Sequence, residues 1–171
     1  DGARRLGAIV RVNAPVERLL AEDGRIRGVR LADGTEIAAD GVVVAAGPWS
    51  RGLLGDVGID LPIYPERHAI SLVSAPDRAR DVVPCVFSDR VRRYYARPEG
   101  DSLVLLGGHT SRTLRVESAD AFDETVSLDE SSEHVSRATP RIPALELLGI
   151  RPGYASVYDM SPDGFPIVDA V

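Results

Sequence analysis

The sequence predicts an α+β protein, and three observations carry that expectation. Across residues 1–40, short apolar runs are separated by Asp-Gly pairs, the pattern of a β-meander. Positions 42–46 read Val-Val-Val-Ala-Ala and stop at Gly47-Pro48-Trp49-Ser50, a strand passing through a tight turn into a short helix. From residue 61 to residue 108, further short strands follow one another through short turns. The clearer helical patterns gather after them, which suits a mostly antiparallel sheet.

Taken in order, Asp1–Val10 reads as the tail of a helix running into a strand, Ile9–Val12. Pro15–Leu20 follows, with apolar residues at 16, 19 and 20. Asp23-Gly24 and Asp33-Gly34 suit tight hairpins, so Ile26, Val29 and Leu31 fall in one strand and Ile37 in the next. Val42–Ala46 does not alternate, which predicts a strand buried on both faces. Trp49, Leu53 and Val57 lie at i, i+4 and i+8, one face of a short helix that Gly58 ends. Strands are expected at Ala69–Val73, Val82–Phe87, Val91–Arg97 and Leu103–Leu106, with a polar loop over Ala75–Asp81 and a turn at Glu99–Asp101. Residues 110–128 read as a loop with a short helix. Asp129–Ala138 is a helix whose acidic first turn suits its dipole, Ala144–Leu148 is a short helix, and Gly153–Met160 is a strand that Ser161–Gly164 turns. The single cysteine, Cys85, is expected to be a buried apolar residue.

The 171 residues suit one ordinary domain or two small lobes, and 44% hydrophobic content is enough for a core. A net charge of -6 argues against binding driven by nucleic-acid phosphates. All 20 basic residues are arginine, which excludes lysine-based chemistry within the chain. One cysteine cannot form an intramolecular disulfide, no apolar run approaches the length of a membrane span, and no His, Cys and Asp cluster has metal-site spacing. The expectation is a soluble, cytoplasmic protein with no nucleic-acid, membrane or metal partner. The absence of an initiator Met and the strand-like final run, Phe165–Val171, suggest a piece of a longer polypeptide.

Four runs in this order, ADGVVVAAGPWSRGLL, YPERHAISL, YYARPEGDSLVLLGGHT and VYDMSPDGFPIVD, carry a resemblance that covers nearly the whole chain. The chain resembles the FAD-dependent amine and amino-acid oxidoreductases of the D-amino-acid oxidase superfamily. Within it, the sarcosine oxidase, glycine oxidase and dimethylglycine dehydrogenase group is most similar. The resemblance implies a mostly antiparallel substrate-domain sheet joined to part of a Rossmann-like FAD-binding domain. Residues 1–62 would be part of the FAD-binding domain, 63–157 the substrate-binding domain, and 158–171 a return segment toward the FAD domain. It also implies oxidation of a C–N bond in a small amine or amino acid, with FAD accepting the hydride equivalent. No Gly-x-Gly-x-x-Gly occurs, so a middle fragment, inactive by itself and lacking flanking segments of its parent, is expected.

On the residues alone, the stretch around Gly47 also suits a core strand that needs a stop and a tryptophan anchor. The resemblance instead puts Ala46, Gly47 and Trp49 at FAD, because main chain without a Cβ can approach a flat ring. It adds Val16 to the cofactor contacts, and Pro162, Asp163 and Gly164 from the segment that leads back to the flavin. His109 matches an active-site histidine; its alternative is a surface position at a strand end. Tyr94 and Tyr95 alternate along a strand, so one of them can face a substrate while the other faces away. Tyr158 stands where glycine oxidases and D-amino-acid oxidases carry an arginine for the substrate carboxylate, which argues against those two specificities. Ser156 stands where monomeric sarcosine oxidases attach FAD through cysteine, which implies non-covalent FAD. Leu105 replaces a lysine linked to oxygen activation. Arg67 and His68 follow the family's crossover into the substrate sheet and could line the cavity, but solvated or structural roles are the preferred expectation. Two other readings stay open: a flavoprotein of the glycerol-3-phosphate dehydrogenase kind, and a non-enzymatic β-rich binding module.

Overall fold

In the computed structural model, which describes residues 2–171, the chain forms two compact units that divide between Pro62 and Ile63. The first opens with a short helix, α1 (Gly2–Arg5), and contains an antiparallel meander of β1 (Val16–Glu22), β2 (Arg25–Leu31) and β3 (Glu36–Ala38). The Asp-Gly pairs make both connections. Asp23 and Gly24 have φ of 50° and 72°, the left-handed pair that a two-residue hairpin demands. Asp33 accepts from the Thr35 amide and so closes the second turn. Leu19 and Leu31 are the buried apolar side chains of the meander.

Two expected strands are absent from this unit. Residues 9–12 form no ladder, and Ile9 and Val12 are exposed. Residues 42–46 are extended but unpaired, and Val43 is 92% exposed. A run without alternation is stable as a strand only with a neighbour on each edge and cover on each face. The described residues supply neither. After it, Gly47–Trp49 forms a 3-10 turn and Ser50–Gly55 the helix α2, with the Ser50 hydroxyl accepting from the Ala46 amide. Gly58, at φ 83°, ends the helical segment as expected.

The second unit is a six-stranded antiparallel sheet. Its long central strand, β4 (Tyr64–Ser74), pairs along one edge with β9 (Ile150–Met160). Along the other edge it pairs with β7 (Leu103–Gly108) over residues 70–74 and with β8 (Leu114–Arg115) at residues 66 and 67. Beyond β7 lie β6 (Tyr94–Glu99) and β5 (Phe87–Asp89). The helices α3 (Ala79–Val82) and α4 (Leu128–Ala138) and a 3-10 turn at Pro143–Leu147 back one face of this sheet. The core lies there: Val73, Ala75, Ala79, Val83, Tyr94, Ala96, Val104, Leu106, Ala138, Ile142 and Leu145.

The departures from expectation in this unit have local causes. Val82–Phe87 is not a strand, because Val83 closes the α3 turn onto Ala79 and Pro84 has no amide to donate to a ladder. The residue expected to be buried nearby, Cys85, is exposed. Ala75 and Ala79, expected in a polar loop, are core residues. The strand expected from Val91 begins only at Tyr94, since the Asp89 carboxylate captures the Val91 and Arg92 amides in a turn. Residues 110–127 contain β8 rather than a helix. Helix α4 starts on a capping box: the Ser127 hydroxyl accepts from the Glu130 amide, and the Glu130 carboxylate accepts from the Ser127 amide. Ile150–Met160 is one strand, and 165–171 runs irregular and exposed beyond the Ser161–Gly164 turn.

Candidate functional site

Alternation along β4 separates two chemistries. Arg67, Ala69, Ser71 and Val73 turn toward the helices, while Glu66, His68 and Ile70 turn to the opposite face. The register extends that second face across four strands. Tyr95 of β6 lies opposite Gly107 of β7, Gly107 opposite Ile70, and Ile70 opposite Tyr154 of β9. One step along, His68 lies opposite Ser156, and Glu66 opposite Tyr158. Ladder geometry thus collects Tyr95, Glu66, His68, Tyr158 and Ser156 on one side of the sheet.

The side chains meet there. The His68 ring stacks on Tyr158 with centroids 4.2 Å apart and planes 16° from parallel. Its Nε2 lies 2.8 Å from Oε1 of Glu66. His109, just past the end of β7, approaches the same ring edge-on at 5.2 Å. The Tyr95 and Tyr158 hydroxyls are 3.3 Å apart. Gly107 makes this possible. A Cβ there would fall 2.2 Å from Cζ of Tyr95, so the tyrosine ring crosses the sheet over a residue without a side chain.

Burial sets the protonation of these groups. His68 is 7% exposed, and loss of hydration pushes its pKa below the usual imidazole value, while Glu66 opposes the shift. A carboxylate only accepts, so the contact requires Nε2–H on His68 and leaves its Nδ1 lone pair as the basic nitrogen. Burial likewise raises the Tyr95 phenol, reinforced by its bond to Tyr158, and keeps it a neutral donor. Two hydroxyls that share one hydrogen bond leave one O–H free for a third acceptor.

Of the residues expected to act, the structure brings together Tyr95, Tyr158 and His109. Tyr94 faces the other way: it is 1% exposed, sits in the core, and meets the Phe87 ring edge-on at 6.0 Å. Sequence reasoning missed Glu66 as a member of this cluster and preferred a solvated or structural role for His68 over a cavity one. Their i, i+2 spacing, which places both side chains on one face if the segment is a strand, was the available signal. Arg67, in turn, is buried in an ion pair with Glu130 at 2.8 Å, a structural role. Leu105 is buried on the same face as Tyr95. Among the described residues, no three His, Cys, Asp or Glu side chains converge as metal ligands.

The residues expected at a cofactor are divided between the two units. Gly47 adopts φ 53°, and the direction a Cβ would take is open space. Ala46 beside it is half-buried and Trp49 is 50% exposed. An open left-handed glycine beside an uncovered extended segment fits the flat ring or phosphate of a flavin nucleotide. Val16 opens β1 and is exposed. Pro162, Asp163 and Gly164 form an exposed turn. The Asp163 carboxylate accepts from the Phe165 amide, lies 3.1 Å from the Ser161 hydroxyl, and is held below the usual carboxylate range by these bonds.

A sheet face that brings two imidazoles, a carboxylate and two phenols into contact suits a small polar molecule whose protons must be placed. The chain belongs to the FAD dependent oxidoreductase family, whose profile matches residues 1–171. It is 31% identical to glycine oxidase of Pseudomonas putida over 95% of this chain and 41% of that enzyme. It is 27% identical to human mitochondrial dimethylglycine dehydrogenase over 98% of this chain and 21% of that protein. The fold matches the crystal structure of L-proline dehydrogenase from P. horikoshii with a TM-score of 0.82 at 24% identity, covering 99% of this chain and 44% of that one. The chain therefore spans less than half the length of these relatives. No helix among the described residues is long and apolar enough to cross a membrane.

Proposed function

We propose that this chain is the substrate-handling portion, with part of a Rossmann-like FAD-binding domain, of an enzyme that oxidises the C–N bond of a small amine or amino acid of sarcosine or glycine size. In this reading residues 1–62 belong to the FAD-binding part, 63–157 to the substrate-binding part, and 158–171 return toward the FAD-binding part. The observation that carries it is the contact cluster of Glu66, His68, Tyr158, Tyr95 and His109 on one sheet face. Family membership and the likeness to glycine oxidase support it.

When bound, FAD supplies the acceptor for the hydride equivalent that leaves the carbon beside the amine. His68 takes the amine proton at Nδ1 while Glu66 holds its other nitrogen and steadies the imidazolium that results. The free O–H of the Tyr95–Tyr158 pair donates to the substrate carboxylate, and His109 lines the same face. Ala46, Gly47, Trp49 and Val16 would hold the cofactor, and Pro162, Asp163 and Gly164 are second-rank candidates for contact with it. Ser156 forms no covalent link, since its hydroxyl cannot make a thioether. The imine product leaves for hydrolysis in water. Leu105, buried and uncharged where the related oxidases carry a lysine, favours an electron acceptor other than oxygen.

No Gly-x-Gly-x-x-Gly is present, so the 171-residue chain alone is expected to bind FAD weakly and to be inactive. The test has two arms. FAD is titrated into the chain alone, and a longer form that retains flavin is mixed anaerobically with N-methyl and D-amino acids. Bleaching of the visible flavin absorbance by one of these amines, with faster reoxidation by an artificial acceptor than by oxygen, is the expected result. No bleaching by any of them removes the amine reading. Turnover by the chain alone removes the fragment reading.

A further inference from the structure

We propose that helix α4 is a positioning device for His109: through Glu130, Glu133, His134 and Arg137 it fixes the main chain of residues 108–111 and so sets the His109 ring against His68. The catalytic consequence rests on the function proposed above, but the positioning itself does not.

The four residues stand at i, i+3, i+4 and i+7, one stripe of the helix. Each reaches a different point of the segment that leaves the sheet after β7. The Gly108 carbonyl lies 3.4 Å from Nε2 of His134, and the His109 carbonyl accepts from the Arg137 guanidinium. The Thr110 hydroxyl lies 3.3 Å from Oε1 of Glu130, and the Ser111 amide donates to Oε2 of Glu133 at 2.9 Å. Glu133 and Arg137 also pair with each other across one helical turn. The main chain on both sides of His109 is thus held from beneath by a single helix.

The helix is itself referenced to β4. Glu130 is paired with Arg67, and the Ser71 hydroxyl lies 2.8 Å from Nδ1 of His134. With Ser71 donating to Nδ1 and Nε2–H donating to Gly108, a neutral His134 satisfies both ring nitrogens. Burial favours that neutral form by pushing its pKa down. The Arg137 charge acts in the same direction, and Glu130 and Glu133 oppose it. Arg67 and Ser71 leave one face of β4, and His68 leaves the other. One strand therefore locates both imidazoles, His68 directly and His109 through α4.

The test uses the chain itself, labelled on its three histidines, with amide hydrogen exchange and the ring resonances of His68 and His109 as readouts. His134→Phe keeps the volume and removes the donor, while His134→Gln keeps an N–H at about the position of Nε2. Arg137→Met removes the second anchor at the edge of the helix, outside the core, should His134→Phe fail to fold. The expected result is exchange of the 108–111 amides faster by on the order of tenfold in the Phe and Met variants, the loss of about one hydrogen bond. The His68 and His109 ring resonances should move together, and His134→Gln should largely restore the native behaviour. Unchanged exchange and unchanged His109 ring resonances in both the Phe and Met variants would overturn the proposal. So would a Gln variant indistinguishable from the Phe variant. In the flavin-loaded longer form, a fall in kcat with KM nearly constant is expected. Altered ring resonances in a protein that oxidises no amine would remove the proposed function and leave the positioning role standing.

Discussion

Gly107 and Gly108 are neighbours whose replacement by alanine should give opposite phenotypes. At Gly107 a Cβ would meet the Tyr95 ring at 2.2–2.8 Å, and the obstructing atoms belong to a side chain that can swing aside. Gly107 sits in a strand, where alanine is favoured over glycine by about 0.5–1 kcal/mol. Displacing Tyr95 forfeits its contact with Tyr158, about 0.5–1.5 kcal/mol for one hydrogen bond. The two contributions nearly cancel, so Gly107→Ala should move the melting temperature by less than about 3 °C. At Gly108 the Cβ would lie 2.4 Å from the Arg93 carbonyl oxygen, which is main chain, and φ is 149°. No rotamer relieves that overlap. Backbone strain of about 1–3 kcal/mol and a further 1–3 kcal/mol or so for the overlap act together. At roughly 2–4 °C per kcal/mol, Gly108→Ala should melt on the order of 10 °C lower. Thermal unfolding by far-UV circular dichroism measures both, and near-UV dichroism reports the tyrosines. Gly107→Ala should change the near-UV signal and weaken substrate binding in the flavin-loaded longer form while the fold survives. Equal destabilisation by the two substitutions, or an unchanged tyrosine signal in Gly107→Ala, would refute the assignment of opposite faces.

Two further outcomes follow from the buried polar groups. His134 and His68 both have pKa values pushed below the ordinary 6.5 by burial, so between the lowered values and 6.5 the unfolded chain binds more protons than the folded one. Urea unfolding should therefore show stability intact above pH 6.5 and falling as pH drops below it, with a shallower fall in His134→Gln; a flat profile from pH 7 to 5 would contradict the burial. Arg67→Met leaves Glu130 buried without its main partner and should lose about 3–5 kcal/mol, whereas Arg67→Met with Glu130→Gln should recover part of that loss in the same assay; a double variant as unstable as the single one would count against the ion pair.

The sequence revealed the features that local chemistry decides. Both Asp-Gly turns, the acid-first helix and the strands around β4, β6 and β7 need only neighbours along the chain to be recognised. It failed where a distant partner decides. Val42–Ala46 has the composition of a buried strand, yet strand formation depends on edges that other segments must supply. Val82–Phe87 looked extended until Pro84 and the α3 turn are considered together. The candidate site was legible in its outer parts, Tyr95, Tyr158 and His109, and silent at its centre. His68 looked structural because burial beside Glu66 depends on pairing between β4 and β9, strands separated by 75 intervening residues.

The alternation of β4 explains why the site and the core cannot be altered independently. A one-residue slip of this strand would send Glu66 and His68 into the helix layer and Arg67 and Ser71 into the open face. The slip would part the cross-element pairs: Arg67 would lose Glu130, Ser71 would lose His134, and His68, carried along with Glu66, would lose Tyr158. Buried polar pairs on both faces thus specify register more sharply than apolar residues alone, because an apolar strand tolerates a slip that a paired charge does not. The same pairs that fix the fold bring His68 to Tyr158, and through α4 they bring His109 to His68.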